Sequence, residues 1–331
     1  MTLEHEKPLD SSYPSFSIII EWENMLLYDS YRSNKMLEIL ANQLLEVSSK
    51  MSTKPEIIIV YNNEDINGSE IESLIKKKLN PCSSIIDLKI IPSPGLHYYQ
   101  QKNFGANHCN GDVIIFLDCD VIPNEGWLKG MLECFLQPEI RVVGGESYIS
   151  SDTFLEKAFS IFWFMSPPSE KGPIYEDTKF LCNNMAFRND TFFKNQFPTL
   201  PRYRGSCLAL GESLQRKNIK IYRQPAARVA HSIPKGMKNI AIRAICQGHD
   251  VAVKRKKSYN VIDSQIKKNK PWRRIIKEQI TKIRTNSRKL HLTLFEKIGV
   301  FGVISFYFSL IFIGTIIASI NPEIIRKNFT V

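Results

Sequence analysis

The sequence predicts an α/β fold in which a mostly parallel, doubly wound sheet is flanked by helices. Strand-like apolar runs alternate with helix-like segments over about the first 255 residues, which is the pattern of βαβ units. The run at 113–117 is apolar at every position, as in a strand covered on both faces. Asp118 and Asp120 follow it directly, at the edge where such sheets bind ligands.

The elements are expected in the following order along the chain. Strands are predicted at 16–20, 56–61, 85–91, 112–117 and 140–149. Helices are predicted near 33–50, 69–79, 100–109, 125–136, 206–217 and 236–255. A proline-rich stretch at 166–173 cannot be helical and predicts a loop over the site.

The C-terminal part predicts one amphipathic helix and one transmembrane helix. No charged residue occurs from Ile298 to Ile320, and a helix of that length rises about 34 Å, enough to cross a hydrocarbon core. The alternative is a buried core helix. Between Pro271 and Leu290, apolar residues recur at helical spacing among seven Lys and Arg residues, which suits a helix on anionic lipid. The alternative here is a solvated helix packed on the globular domain.

Charge is divided unevenly along the chain. Residues 1–253 have a net charge of −2, whereas residues 254–331 have +13. The globular part therefore gives no indication of nucleic-acid binding. We expect a globular domain at 1–253, a basic linker with the interfacial helix at 254–297, a transmembrane helix at 298–320 and a short tail at 321–331.

The cysteines, the N-terminal segment and the basic residues before the apolar segment together predict the cellular compartment. The segment 1–13 is polar, so no signal peptide is expected. Seven scattered cysteines without a Cys-x-x-Cys pair favour a reducing compartment and argue against a disulfide framework or a zinc site. Basic residues before the apolar segment would hold the domain inside. The expected location is the cell membrane, single-pass, with the domain at 1–253 on the cytoplasmic face.

Asp118 and Asp120 are the most informative pair of residues. Two carboxylates one residue apart repel each other unless a positive group lies between them, and a hard divalent cation carrying diphosphate oxygens meets that need. The alternative is a solvated turn, which an isolated Asp-x-Asp would indicate. The surrounding sequence favours the metal site.

This block resembles the inverting family-2 glycosyltransferases, which have a GT-A fold. Their signature is a basic residue with Asn, then Gly, then Gly-Asp, an apolar strand and Asp-x-Asp. Further matching segments extend the resemblance over about residues 15–235. The matching segments are 17–20, 56–60, 102–107, 111–120, 183–188 and 227–231.

The resemblance implies a metal-dependent transfer from a nucleotide-sugar to a glycan or lipid-linked acceptor. The C-terminal segments add the membrane as a partner, and the charge balance of residues 1–253 indicates no nucleic acid as a partner. The resemblance also implies that Asp118 and Asp120 hold Mg²⁺ or Mn²⁺ and that one of these carboxylates, for which Asp118 is the candidate, also touches the ribose or sugar. It implies that His231 completes the metal sphere or contacts the diphosphate. Lys102 and Asn103 would lie near the diphosphate, and Asn184 would bind the donor sugar or acceptor. The alternatives are a structural role for His231 and a solvated helix position for Lys102.

Two departures from the family pattern concern the nucleotide and the base. Glu21-Trp22-Glu23-Asn24 replaces the usual Pro-Thr-Tyr-Asn, and Tyr61 or Asn62 replaces the acidic residue that reads the nucleobase; Asn62 could bond a base edge. The usual Glu-Asp pair falls on Ser206-Cys207, within an Arg-Gly-x-Cys sequence that a subset of similar sequences shares. Neither residue is a plausible general base.

Three carboxylates are therefore candidate bases. They are Glu212, which could equally be an exposed helix residue, and Glu176 and Asp177, which precede Asn184. Asp177 is preferred because the proline-rich loop beside it can fold over the donor. Two other functions stay open: a nucleotidyltransferase, which would need a glycine-rich loop after the first strand, and a nucleotide-sugar-binding protein without transferase activity.

Overall fold

The structure is a computed structural model that describes residues 12–24, 30–165, 167–168, 172–178, 180–201, 203–260 and 272–328. Its described parts form two compact units. The first comprises Met1–Ser147, Ser169–Thr199 and Ser206–His231, and the second comprises Tyr148–Pro168, Leu200–Gly205 and Ser232–Val331. The domain boundaries expected from the sequence at 253, 297 and 320 remain predictions. Parts of the predicted loop (166 and 169–171) and linker (261–270) lie outside the described residues.

Nine strands and eleven α-helices are described. The strands are β1 (Phe16–Glu21), β2 (Glu56–Tyr61), β3 (Asp87–Pro92), β4 (Val113–Asp118), β5 (Ile122–Pro123), β6 (Val142–Ile149), β7 (Tyr175–Asp177), β8 (Asn184–Arg188) and β9 (Ile221–His231). The helices are α1 (Ser30–Val47), α2 (Gly68–Leu79), α3 (Tyr98–Ala106), α4 (Trp127–Cys134), α5 (Phe154–Phe162), α6 (Asn189–Phe193), α7 (Ser206–Arg216), α8 (Gly236–Asn260), α9 (Trp272–Lys289), α10 (Leu294–Ile320) and α11 (Pro322–Asn328).

The strands form one mixed sheet with the order β3-β2-β1-β4-β8-β6-β9-β5, and β7 pairs with β9. The first four strands are parallel and the described pairings beyond β4 are antiparallel. The predicted fold class is confirmed. Of the strands beyond β4, the sequence predicted only β6. Strands β5 and β7 are too short to give a pattern, and Arg223 and Pro225 occupy positions of β9 where the alternation calls for apolar residues.

The parallel half positions the site because its strands end together. Glu21 pairs in register with Asp118, so both carboxylates emerge at the same edge. Side chains alternate between two cores, with Ile18 and Ile20 in one and Ile19 in the other. Helix α3 covers the second core closely, since a Cβ at Gly105 would lie 2.7 Å from Ile19 and 2.9 Å from Val60. This close approach fixes α3 beside β1 and β2.

The second unit is helical and contains α5, α8, α9, α10 and α11. The predicted basic helix is present as α9, and the predicted apolar helix is present as α10. Helix α10 is long and apolar enough to cross a membrane, with a mean hydropathy of 2.3 in its most apolar window and 17% of that window buried. Length and composition alone are weak evidence for a span, because a core helix or a signal sequence can share them.

Candidate metal and donor site

Three potential metal ligands meet at the carboxyl edge of the sheet. Asp118 ends β4, Asp120 lies in the turn that follows, and His231 ends β9. One ligand atom from each lies within 4.8 Å of the others, and all three residues are buried. The short strand β5 brings them together because it pairs with β9 at Val229 and Ala230. The Asp120 Oδ2 and His231 Nε2 atoms are 3.4 Å apart.

Arg32 of α1 holds the two chain segments that carry this cluster. Its Nε donates to the carbonyl of Asp120 at 2.7 Å, and its Nη2 donates to the carbonyl of Ala230 at 2.6 Å. One guanidinium therefore ties the turn after β4 to the end of β9, and its planar geometry restricts their separation.

Both oxygens of Asp118 have partners within the protein. Lys102 Nζ donates to Oδ1 at 2.6 Å, and Tyr98 Oη and Asn24 Nδ2 donate to Oδ2 at 2.6 and 3.2 Å. Lys102 is fully buried, which excludes the solvated position. Burial opposes its charge, but Asp118 and Glu21 outweigh that effect and raise the pKa of Lys102. Asp118 and Lys102 thus form a buried ion pair.

Asp120 is in the opposite situation. Its two carboxylate oxygens are buried and accept no hydrogen bond from any of the residues that the structure describes. Burial raises the pKa of Asp120, which the nearby His231 partly offsets. A desolvated carboxylate without donors, beside an imidazole and a second carboxylate, fits the ligand set of a divalent cation.

The segment 21–24, which departs from the family pattern, forms a turn that the Glu21 carboxylate stabilises by hydrogen bonds. Glu21 Oε2 accepts from the backbone N–H of Glu23 at 3.0 Å and of Asn24 at 3.4 Å, and Oε1 accepts from Asn24 Nδ2 at 2.9 Å. Burial and the neighbouring Asp118 raise the pKa of Glu21 well above its ordinary value. Glu21 therefore positions the Asn24 amide against Asp118.

The three asparagines predicted to bind substrate use their amides to hold the fold. Asn62 bonds Asp65 and the N–H groups of Glu64 and Gly95; Asn103 bonds both backbone groups of Phe197; Asn184 bonds Trp127 Nε1 and the carbonyls of Ala227 and Glu146. Their roles in binding stay predictions. Each amide would have to exchange an internal bond for one to substrate.

Two cysteines, Cys182 and Cys207, contact neighbouring tyrosines of α3, one of which, Tyr98, donates to Asp118. Tyr98 Oη lies 3.2 Å from Cys182 Sγ, and Tyr99 Oη donates to Cys207 Sγ at 3.6 Å. The Cys182 thiol and Tyr99 both donate to Cys207, which lowers its pKa to about 7. Burial and the adjacent Cys207 raise the pKa of Cys182 well above its ordinary value. Of the two thiols, Cys207 is therefore the one that ionises more readily.

Comparison with known proteins identifies the family. The model of glycosyl transferase family 2 matches residues 30–197, which is half of the 331-residue chain. The chain belongs to glycosyl transferase family 2. No curated protein matches its sequence. As a family-2 glycosyltransferase it is an enzyme, and its acidic and histidine cluster is capable of binding a metal.

Solved structures share its fold at low sequence identity. A mannosyltransferase, PcManGT from Pyrobaculum calidifontis in complex with GDP-Man and Mn²⁺, covers 96% of this chain and 92% of its own at 12% identity and a TM-score of 0.54. GalNAc-T7 with UDP, GalNAc and Mn²⁺ matches at 13% identity and a TM-score of 0.50. That match covers 67% of this glycosyltransferase and 44% of the GalNAc-T7 chain.

Two of the three candidate bases, Asp177 and Glu176, are not brought together with the metal cluster. Asp177 and Glu176 lie on β7, which pairs with the first residues of β9, whereas His231 ends that 11-residue strand. An extended strand of this length spans about 33 Å. Asp177 is engaged by Arg223 at 2.9 Å, and Glu176 is exposed and pairs with Lys220 at 3.1 Å. Glu212 is exposed on α7.

Sequence reasoning missed several residues that shape the site. Tyr98 precedes Lys102 by four positions on α3, so helical spacing could have placed both on Asp118. Arg32 and Cys182 carried no such signal because their partners lie far away in the sequence. Only the folded sheet places them beside the carboxylates.

Proposed function

We propose that this glycosyltransferase is inverting and metal-dependent, and that it moves a sugar from a nucleotide-sugar to a cell-envelope glycan or lipid-linked acceptor at the cytoplasmic face of a membrane. The observation that carries the proposal is the contrast between the two aspartates. Asp118 is fully bonded to the protein, whereas Asp120 is buried without a donor among the described residues. A cation supplies what Asp120 lacks.

In this proposal Asp120 and His231 hold the cation and Asp118 completes the cluster. When bound, the metal neutralises the leaving diphosphate. Mn²⁺ is preferred over Mg²⁺ because an imidazole ligand suits a transition metal better than a cation that favours oxygen alone. Lys102 adds a second positive charge at the same edge, while Tyr98 and Asn24 orient Asp118.

The base assignment changes in the light of the geometry. Glu212 is now preferred over Asp177 and Glu176 as the general base. Its helix α7 also carries Cys207, and the tyrosine that donates to Cys207, Tyr99, contacts Tyr98 beside Asp118. The Arg204-Gly205-Ser206-Cys207 sequence would define a subgroup in which the base lies farther along α7. An alkoxide-forming acceptor still requires a carboxylate or a group of its own within hydrogen-bond reach.

Membrane attachment is proposed to rest on the basic helix α9 and the apolar helix α10. Large apolar side chains of α10 are exposed, including Phe295 at 84% and Phe301 at 71%. Exposed apolar surface of this extent marks a membrane or protein contact. The net charge of +13 over residues 254–331 favours anionic lipid.

The proposal is tested by thermal unfolding with Mn²⁺ or Mg²⁺ and with UDP-, GDP-, CMP- and dTDP-sugars. We expect one donor class to raise the melting temperature only with the metal, and EDTA to remove the shift. Donor hydrolysis and sugar transfer are then measured separately. Metal-independent donor binding would refute the metal assignment, and metal-dependent binding without hydrolysis or transfer would indicate a nucleotide-sugar-binding protein.

A further inference from the structure

Helices α8 and α10 lie side by side and run in the same direction. Four pairs of residues, one from each helix, show the direction, because the residue numbers of both helices increase from one pair to the next. The first pair lines a common groove, the second shares a hydrogen bond, the third is in backbone contact and the fourth belongs to one apolar cluster. In order, these pairs are Ile240 with Val303, Gln247 with Tyr307, Gly248 with Gly314 and Ala252 with Ala318. The two helices are therefore parallel over most of their length.

The approach of the two helices is close and specific. A Cβ at Gly248 would overlap the backbone of α10 between Ile311 and Thr315, and a Cβ at Gly314 would overlap the backbone at Ile245. Thr315 Oγ1 also donates to the carbonyl of Gly248 at 3.2 Å. Small residues that let two backbones touch fix one arrangement. Wherever α10 lies, α8 lies beside it.

A spanning α10 would therefore carry polar parts of the second unit into the hydrocarbon core. Gln247 is exposed next to Tyr307, near the middle of the apolar segment. Asp250 lies two residues after Gly248 and accepts the backbone N–H groups of Tyr203 and Arg204 at 2.9 and 2.8 Å. Carboxylates and non-helical backbone at this depth are costly unless they line a cavity or are enclosed by protein.

The direction of the helices gives a second argument. If both parallel helices crossed the bilayer, the chain between them would have to cross back. That chain includes α9, whose 18 residues contain seven Lys and Arg residues. Each such residue at the centre of a bilayer opposes insertion. A return crossing by α9 is therefore excluded on energetic grounds.

We propose that α10 lies in the plane of one leaflet and does not cross the membrane. Its inner side, with Val300, Tyr307 and Gly314 at seven-residue spacing, is buried within the second unit. Its outer side exposes large apolar groups with no charge from 298 to 320, including Ile298 at 64%, Phe301 at 71% and Phe312 at 65%. The partner is a single leaflet containing anionic lipid, which the basic residues of α9 attract.

In-plane attachment of α10 is independent of the proposed transfer reaction and differs from the single-pass topology that the sequence predicts. The two make opposite predictions about the C-terminus. In-plane attachment keeps Arg326 and the residues after it on the same side as the catalytic unit. A span would place them on the other side of the membrane.

The test uses the full chain with one epitope tag before Met1 and another after Val331. Membranes are collected as sealed vesicles of each orientation and digested with proteinase K. We expect both tags to be cleaved in one orientation and both to be protected in the other. Opposite protection of the two tags, or absence of the protein from the membrane fraction, would overturn the proposal. The tags report topology whether or not the protein transfers a sugar.

A second measurement examines the exposed side of α10. Phe301→Glu and Phe312→Glu should each lower partitioning of the full chain onto vesicles of mixed neutral and anionic phospholipid at least about tenfold, since each removes a buried aromatic from the leaflet. Leu45→Glu introduces the same charge at an exposed apolar side chain of α1, which lies in the first unit, and should have no effect. Unchanged partitioning of both phenylalanine variants, with retained folding by circular dichroism, would refute the assigned surface.

Discussion

The two aspartates of the metal cluster should respond in opposite ways to the same substitution. In the metal-free protein Asp120→Asn removes a buried negative charge whose oxygens have no donor among the described residues. Asp118→Asn instead removes the partner of the fully buried Lys102, 2.6 Å away. The first change relieves an unfavourable interaction, whereas the second leaves a buried cation unpaired.

The magnitudes follow from these environments. Removal of a buried carboxylate that accepts no hydrogen bond from the described residues, and whose burial His231 only partly offsets, should stabilise the metal-free protein by about 1–2 kcal/mol. Breaking a buried ion pair by removing one partner costs about 3–5 kcal/mol. At about 2 °C per kcal/mol for a chain of this size, Asp120→Asn should raise Tm by about 2–4 °C and Asp118→Asn should lower it by about 6–10 °C.

The assay is thermal unfolding of both variants and the native protein in EDTA and then in Mn²⁺. Bound metal at a hundredfold excess over Kd stabilises the native protein by about 2.7 kcal/mol. Asp120→Asn should lose that stabilisation while gaining stability in EDTA. Lys102→Met combined with Asp118→Asn is the matched control, because removing both charges should recover much of the loss.

Three results would contradict this reasoning. A drop in Tm for Asp120→Asn in EDTA would mean that its carboxylate is well solvated or bonded in the folded protein. Equal Tm values for Asp118→Asn and the native protein would mean that the Lys102 pair contributes nothing. Full Mn²⁺ stabilisation of Asp120→Asn would exclude Asp120 as a ligand.

Three further predictions concern a buried glutamate, the thiol pair and the base. Burial alone would raise the pKa of Glu56, but hydrogen bonds from Lys89, Ser17 and Asn110 lower it to about 2. Because the folded-state pKa is depressed, Glu56→Gln should cost about 3 kcal/mol of unfolding free energy above pH about 4.5, and chemical denaturation should show the difference vanishing as pH falls toward 2. Alkylation of Cys207 by iodoacetamide should have a midpoint near pH 7, and Cys207→Ser should keep most transfer activity; a midpoint above 8 or loss of turnover would contradict this. Glu212→Gln should lower turnover about 100-fold with little change in donor binding, whereas Asp177→Asn, paired with Arg223, should change turnover little. A larger loss of turnover in Asp177→Asn than in Glu212→Gln would make Asp177 the preferred base. Full activity of both variants would mean that Glu176 or a group on the acceptor acts as the base.

The sequence determined the parts of this protein that depend on local pattern. The apolar run before Asp118 predicted a buried strand, and β4 is that strand. The alternation of strands and helices predicted the α/β class, and the uncharged stretch after Lys297 predicted α10. Such features depend on neighbouring residues, whose periodicity can be read directly.

Only the tertiary structure decided which side chains contact each other in the site. Lys102 and Tyr98 donate to Asp118, whereas Asp120 lies beside His231, which is 111 positions away in the sequence. The tertiary structure also separated Asp177 from His231 along β9 and laid α8 beside α10. Each of these outcomes depends on contacts between residues distant in sequence, and neither spacing nor composition records such contacts. The physical reason is that burial and pairing are properties of the packed sheet and helices, so a charge acquires its partner only when the chain has folded.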